Sequence, residues 1–181
     1  MKTTIVHLIA LVTAVSCVWC CSGHSSVELR RAVRQFESSR IELPSSVIKI
    51  EKGVASYDVL NVQGFVYVVY YSPDECTSCA INHMTDNSRL FDLADSTKAF
   101  VPLVIMTPTE KADENVLIEE LQVMDPGFPV YIDRDSDLSK KVPSDRRLHS
   151  FLLDESGRPV LVGNASRSIE LEKLLLRYLQ Q

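Results

Sequence analysis

The chain has 181 residues, 45% of them hydrophobic and 24% charged, with a net charge of −5. That length allows one ordinary domain plus a targeting segment, and the composition excludes a disordered chain. The acidic balance leaves no basic excess to neutralise phosphates, which argues against nucleic acid as a partner; Arg30, Arg31 and Arg34 read as the solvated face of a helix.

The N-terminus reads as an export signal. Lys2 supplies a short positive region, and Ile5 to Val15 form an apolar stretch too short to span a membrane. Small residues and cysteines follow. The stretch "AVSC", ending at Cys17, resembles a bacterial lipobox, in which the cysteine is lipidated and becomes the mature N-terminus; Cys21 is the alternative acceptor. Residues 1–23 are therefore expected to be a signal peptide, and 26–181 the folded domain. Export to the periplasm is expected, with membrane contact only through a lipid anchor. Of five cysteines, Cys17, Cys20 and Cys21 fall in the signal, so the domain retains only Cys76 and Cys79. One closely spaced pair does not make a disulfide-rich scaffold. In an oxidising compartment it forms a Cys76–Cys79 disulfide unless something reduces it.

Ser25 and Glu28 form a capping box, and Leu29, Ala32, Val33 and Phe36 recur at helical spacing, so a helix is expected over 26–38. Strands are expected at 47–51 and around 57–61. The run "FVYVVYY" (65–71) does not alternate, as suits a strand buried on both faces in a parallel sheet. A helix is expected from the cysteines to about Asp95, a buried strand at 100–106, a helix near 110–123 and a short strand at 128–133. "SFLLD" and "PVLVG", around Gly157, form a hairpin of two strands, 150–154 and 159–163. A last helix runs from about 167 to 180. Strands alternating with helices give an α/β sheet with crossover connections, and the closing hairpin makes that sheet mixed. The cysteine pair sits past the C-terminal end of a central strand, where open α/β sheets place their sites.

In this order of elements, with CxxC after a central strand and a terminal hairpin and helix, the chain resembles the thioredoxin superfamily. "FPVYIDRDSDLSKKV" (128–142) resembles the insertion of TlpA/ResA-like redoxin domains. "ESSRIELP", "CTSC" and "VPSDRRLHSFLLDESGRPVLVGN" resemble exported thioredoxin-like proteins of Bacteroidales. The resemblance covers residues 26–180. It implies a thioredoxin-like fold, a central mixed sheet flanked by helices, and exchange with thiols and disulfides of exported proteins, recharged by a redox partner and needing no bound cofactor. Two positions depart from the family. Leu148 stands where thioredoxins carry a cis-proline facing the CxxC, and Glu75 replaces the tryptophan that usually precedes it.

Disulfide exchange needs an attacking thiolate and a second thiol to resolve the mixed disulfide. Cys76, at a helix N-terminus where unpaired N–H groups favour a thiolate, is the expected nucleophile, and Cys79, one turn on, the resolving thiol. Thr77 and Ser78 can donate hydrogen bonds to a thiolate, whereas Asp74 and Glu75 oppose it by their charge. Two other readings stand beside this one. In one, the pair is a structural disulfide in a non-catalytic module. In the other, Cys76 and Cys79 with His83 and His149 hold copper or zinc, since two thiolates and an imidazole suit either ion.

Overall fold

The computed structural model describes residues 26–110 and 113–180. Residues 1–23, with both candidate lipidation sites, lie outside the described residues, as does Ser25 of the expected capping box. Helix α1 spans residues 26–37. The chain divides between Gln35 and Phe36, and the sheet and the cysteine pair belong to the unit that begins at Phe36. Among the described residues no helix is long and apolar enough to cross a membrane.

The sheet has seven strands: β1 (Val47–Glu51), β2 (Val54–Asp58), β3 (Val66–Tyr71), β4 (Val101–Met106), β5 (Val130–Ile132), β6 (Ser150–Leu153) and β7 (Pro159–Val162). Their spatial order is β2-β1-β5-β4-β3-β6-β7. Strands β3, β4 and β5 run parallel at the centre; the hairpins β1–β2 and β6–β7 are antiparallel and attach antiparallel to β5 and β3. The helices are α2 (Thr77–Asn82), α3 (Ser88–Thr97), α4 (Glu114–Met124) and α5 (Ile169–Leu179).

The apolar run in β3 is buried on both faces, as a central strand should be. Tyr67 and Val69 share one face with Val104, Met106, Val130, Ile132, Ile48, Ile50 and Leu152, as the register requires. That face forms one core with Ala80 and Ile81 of α2, Leu90 of α3, Leu117 and Leu121 of α4, and Leu175 of α5. On the other face Val68, Tyr70, Leu103, Ile105 and Phe151 are equally buried, and Phe36 meets Phe151 edge-on with ring centroids 5.0 Å apart. The parallel centre with antiparallel hairpins at either edge makes the sheet mixed, and helices flank it.

Two elements differ from the sequence expectation. The second strand begins at Val54 and ends at Asp58, because Lys52 and Gly53 both take positive φ (52° and 71°) and close a two-residue hairpin turn. The helix expected to run from the cysteines to Asp95 is broken. A 3-10 turn, Met84–Asn87, separates α2 from α3. There the Asn87 side-chain amide donates to the Met84 carbonyl at 3.0 Å, and the Ser88 N–H turns to Thr85. A side chain thus takes a carbonyl that a continuous helix would have paired.

Tyr67 ties the sheet to the approach of α5. Its hydroxyl donates to the Gly163 carbonyl and accepts from the Ala165 N–H at 2.9 Å. Burial pushes this phenol up to about 12, against the opposing pull of the Ala165 N–H. Tyr67→Phe leaves both backbone groups without that partner, and a loss of about 1–3 kcal/mol is expected, read as a lower urea midpoint at unchanged m-value; an unmoved midpoint would contradict this role.

Candidate redox site

Strand β3 ends at Tyr71, and the next four residues, Ser72–Glu75, form a turn that delivers Cys76 to the start of α2. The Glu75 N–H bonds the Ser72 carbonyl at 3.0 Å, and the Glu75 carboxylate accepts the Ser72 N–H at 3.2 Å. Neighbouring segments hold this turn from outside. Thr109 Oγ1 donates to the Pro73 carbonyl at 3.1 Å, Arg146 Nη2 donates to the Asp74 carbonyl at 3.1 Å, and Glu75 pairs with His149. The turn therefore rests on the β4–α4 connection and on the 3-10 turn Arg146–Leu148.

Cys76 is the N-cap of α2. Its backbone is extended (φ −64°, ψ 109°), its carbonyl accepts the Ala80 N–H at 2.9 Å, and its sulfur accepts the Cys79 N–H at 3.4 Å. Ser78 Oγ lies 3.4 Å from the same sulfur, and a thiolate, which can only accept, takes its proton. Cys76 and Cys79 are both exposed free thiols. Hydrogen bonds from the Cys79 thiol, from the Ser78 hydroxyl and from the Cys79 backbone bring the Cys76 thiol down to about 7. The Cys79 thiol is held above its ordinary value, first because it donates to Cys76 and then by burial and by the charge of Cys76. The two thiols are thus unequal in acidity, and the more acidic one is Cys76. Of the two residues between them, Ser78 contributes a bond to the sulfur. Thr77 is half-buried and lines a 260 Å³ depression with Ser78, Pro108 and Thr109.

The other candidate residues are placed as follows. Leu148 is buried at the end of the 3-10 turn. His149 is buried beside it, with Nδ1 3.0 Å from Glu75 Oε1 and Nε2 2.9 Å from the Pro143 carbonyl. His83 is exposed and lies 3.6 Å from Asp86. The set Cys76, Cys79, His83 and His149 does not converge: among the described residues no group of three or more metal-ligating side chains could hold an ion, and both ring nitrogens of His149 already face protein oxygens. A cavity of 530 Å³ lies at the other end of β3, around Arg40–Leu43, Leu60–Gly64 and the β6–β7 turn, and no cysteine lines it.

One expectation needs correcting. Glu75 is not a free charge set against the thiolate. Burial raises its carboxyl, but the bonds from His149 and Ser72, with the charges of His149 and Arg146, outweigh burial and leave it below its ordinary value. Sequence inspection singled out Glu75 and His149 separately and missed their pairing. The only signal was a carboxylate just before the first cysteine and a histidine just before a hairpin strand.

No protein-family model matches this chain, and none of the curated proteins matches it by sequence. Solved structures do match. The exposed lipoprotein thioredoxin of Streptococcus pneumoniae superposes on 74% of this chain and 98% of its own, at TM-score 0.51 and 16% identity. The thioredoxin domain of a thiol-disulfide oxidoreductase from Bacteroides vulgatus covers 78% of this chain and 98% of its own at 16% identity and TM-score 0.46. The first likeness, at that identity, speaks for architecture alone: this chain has a thioredoxin-like fold, with its CxxC at the N-terminus of α2.

The thiol acidity can be checked directly. With Cys76 at about 7, its alkylation rate should rise about fivefold between pH 6 and pH 7, following the thiolate fraction, and Ser78→Ala should move the midpoint upward by removing a donor. A profile centred at the ordinary thiol value would contradict the bonding described.

Proposed function

We propose that the protein is an exported thiol–disulfide oxidoreductase that exchanges disulfides with exported protein substrates through Cys76 and Cys79. The observation that carries this reading is the inequality of two exposed thiols on one helix turn: Cys76 lowered to about 7, Cys79 raised. A structural bridge gains nothing from an exposed, acidified sulfur, whereas an exchange catalyst requires one. The resemblance to exported redoxins and the likeness to an exposed lipoprotein thioredoxin support export. The apolar stretch Ile5–Val15 and Cys17 or Cys21 support a lipid anchor.

In the reductive direction the Cys76 thiolate attacks one sulfur of a substrate disulfide. A mixed disulfide forms, and the other substrate sulfur leaves as a thiolate that takes a proton from water. Cys79 then loses its proton and attacks Cys76 Sγ. The Cys76–Cys79 disulfide forms, the substrate's second sulfur departs as a thiolate, and two electrons have passed to the substrate. The raised Cys79 value serves this order of events, because its first cause is the bond to Cys76. Once Cys76 is bound in the mixed disulfide that bond is gone, and the resolving thiol is freed to ionise. Oxidation of a substrate dithiol is the same sequence reversed, with an external redox partner resetting the pair. The chemistry requires no bound cofactor.

Trapping tests the assignment. Cys79→Ser should accumulate a mixed disulfide between Cys76 and a disulfide-bonded substrate protein, while Cys76→Ser should form none and lose all turnover. Exchange that persists in Cys76→Ser, or a Cys79→Ser chain that never captures substrate, would refute it.

A further inference from the structure

Glu75 precedes the first cysteine and His149 follows Leu148, so the pair joins the two positions at which the sequence departs from the thioredoxin pattern, Glu75 directly and Leu148 through its neighbour. His149 is enclosed, its side chain 6% exposed, and that of Glu75 19%. The Pro143 carbonyl can only accept, so Nε2 of His149 carries a hydrogen. Nδ1 faces Glu75 Oε1, the same oxygen that accepts the Ser72 N–H. Both ring nitrogens therefore face acceptors, an arrangement that an imidazolium satisfies in full. The charged and titratable groups around the pair fit a cation beside a carboxylate. From β3 the Tyr70 ring lies 5.2 Å from the imidazole, centroid to centroid. Asp145 feels the charge of His149, and Arg146, which also holds the Asp74 carbonyl, acts on Glu75.

We propose that Glu75 and His149 form a positioning pair for Cys76. The His149 cation cancels the carboxylate that immediately precedes the nucleophile, and the bond between them fixes the Ser72–Glu75 turn against the start of β6. The pair joins residues 74 apart in sequence, so the nucleophile's charge environment is set by the β6 end of the sheet as well as by its own helix. Without His149, Glu75 stands as an uncompensated negative charge next to Cys76 and opposes the thiolate. This inference rests on Cys76 being the attacking sulfur, but its readout is the acidity of that sulfur and needs no exchange activity.

The test follows alkylation of Cys76 in the full chain across pH, read by mass of the Cys76 peptide, with circular dichroism to establish folding. His149→Leu should raise the thiolate midpoint by about one pH unit, a tenfold loss of thiolate well below it. Adding Glu75→Gln to His149→Leu should return the midpoint to that of the unaltered chain, and Glu75→Gln alone should not raise it. If all three variants fold and share one midpoint, the pair is merely structural and the proposal fails. Should His149→Leu not fold, nitrogen NMR of the unaltered chain decides: hydrogens on both His149 ring nitrogens at neutral pH support the pair as drawn, and one bare nitrogen overturns it. A failed substrate trap with a shifted midpoint would sink the exchange reading and leave this inference standing; the reverse result would do the opposite.

Discussion

Cys76 is fixed at the start of α2 because the turn before it is held at several points. A sulfur at a helix N-cap receives N–H and O–H groups only if the backbone leading to it is extended and fixed. Here Thr109, Arg146 and His149 each hold one of the three residues Pro73, Asp74 and Glu75. These contacts come from the β4–α4 connection and from the segment leading into β6. The two strands flanking β3, β4 and β6, thus each contribute a hold, and the parallel register of β3 with β4 brings Thr107–Thr109 beside the turn. The site is a consequence of the sheet order, and the six-residue helix α2 by itself would not establish it.

The same holds keep the CxxC fixed in place. Leu148 is a core residue here, and the adjacent His149 reaches the turn instead. Glu75, which in an unpaired state would raise the cost of a thiolate, is drawn into a half-buried hydrogen-bonded pair with His149. Such a pair contributes little net stability once desolvation is counted, so its value lies in geometry and charge. Acidity at Cys76 then comes from short-range donors, chiefly Cys79 and Ser78.

Much of the fold was legible in the sequence because its signals are strong and local. The apolar run before Ser72 marks a strand buried twice, the Gly157 turn marks the closing hairpin, and the helical spacing of Leu171, Leu174, Leu175 and Tyr178 marks α5. The CxxC after β3 located the candidate site. Three features were not legible. The Lys52–Gly53 turn lacks the usual Asn or Asp, and its identity depends on both residues adopting positive φ. The break after His83 depends on the Asn87 side chain capturing a carbonyl, a choice that propensity does not record. The Glu75–His149 pair joins segments far apart in the chain, and periodicity and spacing carry no trace of a contact made only by the folded sheet.

The central claim is that the Cys76–Cys79 couple is exposed, unequal and labile. The reduction potential of the couple, measured by equilibrating the folded chain in glutathione or dithiothreitol buffers, tests it most directly. The account predicts a value above roughly −300 mV, reached quickly and without unfolding, as catalytic disulfides show. A value well below that, or a pair that equilibrates only when the protein unfolds, would make it a structural bridge and contradict the account.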